Sequence, residues 1–140
     1  MSFREKMHWV TFSTMVITFG WYFSSYPWSL ATTPASIWAA GGMLFVLCLA
    51  IIVIMTIASA FLAIRSPSEA TMKEDERDRS IHVRGTHLAY YPLVIGIWIN
   101  IAMVFYGTAQ AIQLNLLLGT VVLAELVRIG SQIYLYRRGH

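Results

Sequence analysis

The chain has 140 residues, of which 57% are hydrophobic and only 12% are charged. Soluble domains usually carry about 25% charged residues, so this composition favours a protein that is solvated by lipid. The formal net charge of +3 is small and does not indicate a nucleic-acid partner. With Cys48 as the single cysteine, no intramolecular disulfide can form. This length predicts one membrane domain covering residues 1–140.

Four apolar segments are long enough to be membrane-spanning helices, because a bilayer core about 30 Å thick needs about 20 helical residues. They run roughly over residues 7–23, 35–64, 87–106 and 114–136. The first segment follows a short charged start but lacks the small-residue cleavage site of a signal peptide, so we expect it to remain as a span. The sequence therefore predicts an all-α, integral membrane four-helix bundle.

A charged loop and helix, residues 65–86, separate the second predicted span from the third. Thr71 and Glu74 have capping-box spacing, so we expect a helix to begin near Thr71 and to continue unbroken into the third span. Every basic residue except Arg128 lies in this segment or near a terminus, and the other two loops have none. By the positive-inside rule, we expect both termini and residues 65–86 to be cytoplasmic, with the third helix extended into the cytoplasm.

Polar residues inside the predicted spans are the first candidates for function. Glu125 and Arg128 are charges well inside a span, where each costs at least about 2.5–3.5 kcal/mol on insertion scales. Three residues apart on a helix, they share a face. Helix depths predict an intramembrane polar cluster consisting of Glu125, Arg128, Gln132, Asn100, Thr14, Thr18 and Thr56. This cluster is interpreted as a structural clamp or, alternatively, as the centre of a small ion-coupled transporter using Glu125.

Two histidines are candidates for binding a cofactor. His8 and His87 lie at the cytoplasmic ends of the first and third predicted spans, and two histidines at one depth can ligate haem axially. They are also explained as interfacial residues. We therefore expect no cofactor, with a haem- or quinone-binding redox membrane protein as an alternative. No metal site is expected, because His82 and His87 are five residues apart and point in different directions on a helix.

The sequence has no Gly-rich phosphate loop, no paired cysteines and no His-Glu metal helix, so we do not expect an enzyme. Charges of alternating sign over residues 73–84 instead predict a solvated helix. It could dock a cytosolic or membrane partner or a second copy, or it could only anchor the topology. The predicted docking surface consists of Asp75, Glu76, Arg77, Asp78 and Arg79.

Residues 74–93, EDERDRSIHVRGTHLAYYPL, carry a resemblance to a known kind of protein. The stretch resembles an uncharacterised family of small bacterial four-helix membrane proteins, a domain of unknown function. The shared features are a DERD block, an isoleucine three positions on and an AYY that enters the third helix. They correspond here to residues 75–78, Ile81 and residues 89–91. The resemblance brings no known activity, cofactor or substrate.

Together, these features predict a non-enzymatic, multi-pass protein of the bacterial inner (plasma) membrane. Its expected role is that of an accessory, regulatory or oligomer-forming module that presents a charged cytoplasmic helix. The expected partners are membrane lipid and, through the spans or residues 73–84, another protein or a second copy of the chain. No nucleic-acid partner is expected.

Overall fold

A computed structural model of the protein describes residues 3–65, 67 and 76–138. The long helices are α1 (Phe3–Ser25), α2 (Ala35–Arg65), α3 (Glu76–Phe105) and α4 (Gln110–Arg138). A short 3-10 helix, Trp28–Leu30, lies between α1 and α2. The prediction of an all-α chain with four helices is confirmed for the described residues. The predicted helix start near Thr71 lies outside them.

The end of α3 is set by a glycine in the left-handed region. Gly107 has a φ of 66°, which costs glycine nothing and other residues strain. Its N–H donates to the carbonyl of Val104, and the N–H of Thr108 donates to the carbonyl of Met103. This pair of hydrogen bonds is the Schellman motif. The chain can therefore reverse within a few residues and begin α4 beside α3.

Helix α4 occupies the centre of the fold. It packs along α3 on one side and along α1 on the other, and α2 packs mainly on α1. Within the described residues, contacts between α2 and α3 are few. The helices therefore lie in the order α2, α1, α4, α3, and α4 contacts each of the other three.

The contacts of α1 with its neighbours give the direction of the helices. Near the start of α1, Arg4 forms an ion pair with Asp78 at the start of α3, and the His8 ring lies against Tyr136 near the end of α4. We call this end of the fold, marked by Arg4, Asp78 and Tyr136, the charged end. The opposite end holds the loops at residues 26–34 and 106–109, and we call it the loop end.

Two glycines of α3 allow it to approach α4 closely. A Cβ atom at Gly85 would lie 2.6 Å from Cγ of Gln132, and a Cβ atom at Gly96 would overlap the side chain of Thr120. Ala89, between them, is also buried. Small residues at such positions let membrane helices pack backbone to backbone. The α3–α4 contact therefore depends on the absence of side chains at these two positions.

In the described part of the chain, three helices, α2, α3 and α4, are long and apolar enough to cross a membrane, judged by length and composition. Only 6% of the most apolar stretch of α2 is buried within the fold, against 11% for α3 and 28% for α4. Helix α1 is not among them. It has 23 residues, but its threonines, serines and His8 reduce its apolar character. The prediction of a fourth span over residues 7–23 is therefore not supported on these criteria.

Candidate functional site

The surface of the fold is more apolar than that of a monomeric soluble protein. Large apolar side chains point outward along the helices: Trp38 is 82% exposed, Ile64 80% and Phe105 86%. Many of the buried side chains are instead small or polar; they include Thr14, Thr18, Ser36, Ala40, Ala89, Ala111, Asn115, Thr120, Ala124 and Gln132. Soluble proteins bury mainly large aliphatic and aromatic residues. The polar groups that could carry function therefore lie between the helices or at the charged end.

Near the loop end, α1 and α4 are joined by a buried hydrogen bond. The Tyr22 hydroxyl donates to Oδ1 of Asn115 over 2.8 Å, and both side chains are at least 98% buried. The amide nitrogen of Asn115 donates to the Ala111 carbonyl. Tyr22 also packs among Tyr26, Ala40 and Leu47 in the contact between α1 and α2. This hydrogen bond connects residues 93 positions apart in the sequence.

A second polar contact joins α3 and α4. The Asn100 amide donates to the Gly96 carbonyl on its own helix and, at 3.3 Å, to the Thr120 hydroxyl. The Thr120 hydroxyl in turn donates to the Leu116 carbonyl. Each of these side-chain groups thus satisfies a hydrogen bond inside the fold, at the position where Gly96 permits close approach.

The Glu125–Arg128 pair forms near the middle of α4. Arg128 donates from Nε to Oε2 of Glu125 over 2.6 Å, as their spacing predicts. Their side chains remain 39% and 29% exposed, respectively. The pair faces an open groove of about 250 Å³ that Thr86 and Tyr90 of α3 and Val121 of α4 also line. It is therefore not sealed inside the described part of the fold.

The charged end holds a third set of polar contacts. Asp78 receives the Tyr136 hydroxyl at 2.8 Å and the Arg4 guanidinium at 3.0 Å, one on each carboxylate oxygen. Nearby, Nε2 of Gln132 lies 3.3 Å from Nδ1 of His82. Gln132 is 1% exposed, and its Oε1 has no hydrogen-bond partner in the described part of the chain. These contacts join the start of α1, the start of α3 and the last turns of α4.

The seven residues of the predicted intramembrane cluster do not form one cluster in the fold. Glu125 and Arg128 contact each other, whereas Asn100 bonds Thr120 and Gln132 bonds His82. Thr14 and Thr18 are buried on α1, where the Thr18 hydroxyl donates to the Thr14 carbonyl. Thr56 is exposed on α2 and donates to the Ile52 carbonyl of its own helix. The seven residues are thus polar positions on different helices, with Glu125 and Arg128 the pair brought together.

The predicted docking surface lies on the first turn of α3. Glu76, Arg77 and Arg79 are exposed, and Asp78 turns inward to Arg4 and Tyr136. Asp75 lies outside the described residues. Within those residues, every exposed charged side chain belongs to the charged end; these are Arg65, Glu76, Arg77, Arg79, Arg84, Arg137 and Arg138.

The two candidate cofactor histidines have different surroundings. His8 is half-buried against Tyr136, at a ring distance of 5.6 Å. His87 is exposed and lies against Tyr91 on α3, at a ring distance of 6.0 Å. Among the described residues, no group of three or more His, Cys, Asp or Glu side chains could hold a metal ion.

Comparison with protein-family models, with curated protein sequences and with solved structures finds no match to the chain. The resemblance of residues 74–93 to small bacterial membrane proteins stays a prediction. The polar pairs Tyr22–Asn115 and Asn100–Thr120 were not predicted as pairs. The distance of each residue from the end of its helix could have indicated the Tyr22–Asn115 pair. Tyr22 and Asn115 each lie a few residues from an uncharged loop, at the same end of the fold.

Proposed function

We propose that the protein is an integral protein of the inner membrane, in which α2, α3 and α4 cross the bilayer. The observation that carries the proposal is the exposure of large apolar side chains along the helices. Tyr22 and Asn115 satisfy each other's polar groups inside, while Trp38, Ile64 and Phe105 point outward. In water, such a surface would be a continuous apolar patch of the kind that monomeric soluble proteins avoid. In lipid, the same surface is solvated and the helical backbone is satisfied internally.

Helix α1 is not apolar enough by its own composition to be a candidate span. It follows α4 from His8 beside Tyr136 at the charged end to Tyr22 beside Asn115 at the loop end. A helix held along its length against a spanning helix lies at the same depth. The Thr11 hydroxyl donates to the Met7 carbonyl on its own helix, which lowers the cost of placing this group in lipid. The proposal therefore places α1 beside α4 within the bilayer.

The charged end is proposed to face the cytoplasm, with both termini. Basic residues collect there, whereas the two loops of the opposite end carry no charge. Positive charge near helix ends favours the cytoplasmic side.

The proposed role is that of a non-enzymatic accessory or regulatory module that docks a protein partner on the first turn of α3. The start of α3 is held by two contacts of Asp78, to Arg4 and Tyr136. On the same turn, Glu76, Arg77 and Arg79 are exposed. A charged surface on a fixed backbone loses little conformational entropy when a partner of complementary charge binds.

Membrane insertion and orientation can be tested with single cysteines in a Cys48→Ala background. Thr32→Cys reports the loop end, and Ser80→Cys reports the charged end; both positions are exposed. We expect a membrane-impermeant maleimide to label Thr32→Cys in intact spheroplasts and Ser80→Cys only after lysis. The reverse labelling would contradict the orientation. Release of the protein from membranes by alkaline carbonate would contradict insertion itself.

Docking can be tested by affinity purification from native membranes in mild detergent, followed by mass spectrometry. The change is the double reversal Arg77→Glu/Arg79→Glu. The matched control is Arg137→Glu/Arg138→Glu on α4, which alters the net charge equally at two exposed arginines. We expect a stoichiometric partner that is lost on reversal at positions 77 and 79 and retained in the control, with unchanged membrane levels. A complex that persists after the double reversal would contradict the docking role.

A small ion-coupled transporter is the second candidate. It is favoured by one observation, namely that the Glu125–Arg128 pair faces an open groove instead of being enclosed. Glu125 would be the coupling carboxylate.

A further inference from the structure

Glu125 and Arg128 lie in an open groove of the fold, so that their charges are not enclosed by the protein. The pair lies near the middle of α4 (Gln110–Arg138), far from both helix ends. Its side chains are about one-third exposed and line a groove between α3 and α4. If α4 spans the bilayer, as the proposed function holds, this groove opens toward the lipid tails. Lipid tails offer no hydrogen-bond partner.

Within a single chain, only some of the hydrogen-bonding atoms of Glu125 and Arg128 have a partner. Arg128 donates to Glu125 from Nε, and its two terminal nitrogens have no protein partner in the described part of the chain. A guanidinium carries five N–H donors in a fixed plane, so several donors remain for a second acceptor. Oε1 of Glu125 likewise has no protein partner among the described residues.

We propose that a second copy of the chain covers this groove, so that Arg128 of each copy also donates to Glu125 of the other. The pair is self-complementary, since each copy contributes one carboxylate and one guanidinium. Two copies inserted in the same direction are related by a two-fold axis along the membrane normal, which brings the same groove of each copy to the same depth. Glu125 and Arg128 differ in depth by about one helical turn, a separation that an arginine side chain spans.

The rim of the groove has the composition expected of such an interface. Val121 of α4 is 46% exposed and Tyr90 of α3 is 59% exposed, and both line the groove. An apolar surface surrounding a central pair of charges resembles the usual arrangement of a stable interface, in which surrounding contacts exclude the solvent from a few dominant polar contacts. The proposed dimer would therefore bury the charges and cover these apolar side chains together.

The first test is cysteine crosslinking in native membranes. Val121→Cys, in a Cys48→Ala background, places a thiol one turn from Glu125 on the groove. The native Cys48, exposed on α2, is the matched control, because α2 does not line the groove and Cys48 lies at a similar distance from the loop end. On mild oxidation, we expect a disulfide-linked dimer from Val121→Cys and none from Cys48. Equal crosslinking of the two would overturn the proposed interface.

The second test addresses the charges. We expect Glu125→Arg alone or Arg128→Glu alone to reduce the Val121→Cys crosslink roughly tenfold or more, because like charges then face each other. Co-expression of a Glu125→Arg chain with a differently tagged Arg128→Glu chain should restore the crosslink between the two kinds of chain. If the mixed dimer is no more abundant than the single-variant dimers, the reciprocal pairing is wrong.

Carbonate extraction of the same membranes distinguishes failure of the dimer proposal from failure of the membrane proposal. Protein that stays in the membrane pellet but gives no Val121→Cys crosslink contradicts the dimer and leaves the membrane proposal intact. Protein that is released contradicts the membrane proposal, and the inference about the dimer with it.

Discussion

The hydroxyl of Tyr22 donates a hydrogen bond to Oδ1 of Asn115 across 2.8 Å, between two side chains that are almost completely buried. The amide nitrogen of Asn115 is occupied by the Ala111 carbonyl. The carboxamide therefore satisfies its nitrogen within α4 and its oxygen across the helix contact. Because Tyr22 also packs among the side chains of α2, this one bond aligns three helices near the loop end.

Removing the Tyr22 hydroxyl should weaken the contact of α1 with α4. In Tyr22→Phe the ring is kept, but Oδ1 of Asn115 is left buried without its donor. We expect a loss of about 1–2 kcal/mol in the free energy of unfolding, measured by thermal or denaturant unfolding in detergent. Tyr134→Phe, on an exposed tyrosine, is the control. The double variant Tyr22→Phe/Asn115→Leu should lose less than the sum of the single variants, and simple additivity would argue against the bond.

Adding one methyl group at the α3–α4 contact should be costly. A Cβ atom at Gly96 would overlap Thr120, so Gly96→Ala forces the helices apart. We expect a loss of about 1–3 kcal/mol or more in the free energy of unfolding. The matched control is Gly42→Ala on α2, where nothing lies within 4 Å of the added atom. The control should be neutral or more stable, since alanine favours helix by up to about 1 kcal/mol. Equal effects of the two substitutions would contradict the close contact.

The ion pair at the charged end should stabilise the first turns of α1 locally. Asp78→Asn keeps an acceptor for the Tyr136 hydroxyl but removes the charge opposite Arg4. Both charged side chains are partly exposed, 31% for Arg4 and 22% for Asp78, so the loss should not exceed about 1 kcal/mol. The measurement is hydrogen exchange over residues 4–8, which should become faster while exchange in the middle of α4 is unchanged.

Salt provides the control for this prediction. At about 1 M salt the Debye length falls to about 3 Å, so wild-type exchange over residues 4–8 should approach that of Asp78→Asn. Exchange that is insensitive both to salt and to the substitution would show that the ion pair contributes nothing there.

Glu125→Gln distinguishes the structural role of the pair from transport. If Glu125 is structural, the variant leaves Arg128 without a carboxylate, which should lower the melting temperature and reduce the dimer. Proteoliposomes should then hold an imposed pH gradient equally well with wild-type protein and with no protein, as followed by a pH-sensitive dye. A gradient that wild-type protein dissipates and Glu125→Gln preserves would favour the transporter instead.

The sequence alone predicts the helices of this fold well, because long apolar runs bounded by proline, glycine and charged residues leave few alternatives. The helix of the second predicted span, residues 35–64, is observed as Ala35–Arg65. The third helix continues through the charged stretch from Glu76, as expected, with Pro92 inside it. The main difference is α1, whose length is sufficient but whose composition does not qualify it as a candidate span.

The polar contacts were harder to predict, since a helical face does not specify its neighbour. The Glu125–Arg128 pair follows from spacing on one helix. Depth along the helix places Thr56 in the predicted cluster, but Thr56 lies on an exposed side of α2. Depth fixes one coordinate of a residue in a bundle, and the rotation of each helix decides which residues meet. That rotation depends on close contacts such as Gly96 against Thr120, which become evident only when both helices are placed.

The central position of α4 has a consequence for how the protein is made. Helices α1 and α2 can pair as soon as both have been synthesised, but α3 has few contacts with either of them in the described part of the chain. Its partner, α4, follows it in the chain and leaves the ribosome after the other three helices. Until then, the polar groups of Asn100 on α3 and Tyr22 on α1 lack Thr120 and Asn115. The native arrangement of these four helices is therefore completed only after α4 has been translated, and a chain that stops before Gln110 leaves α3 without the helix that it packs against.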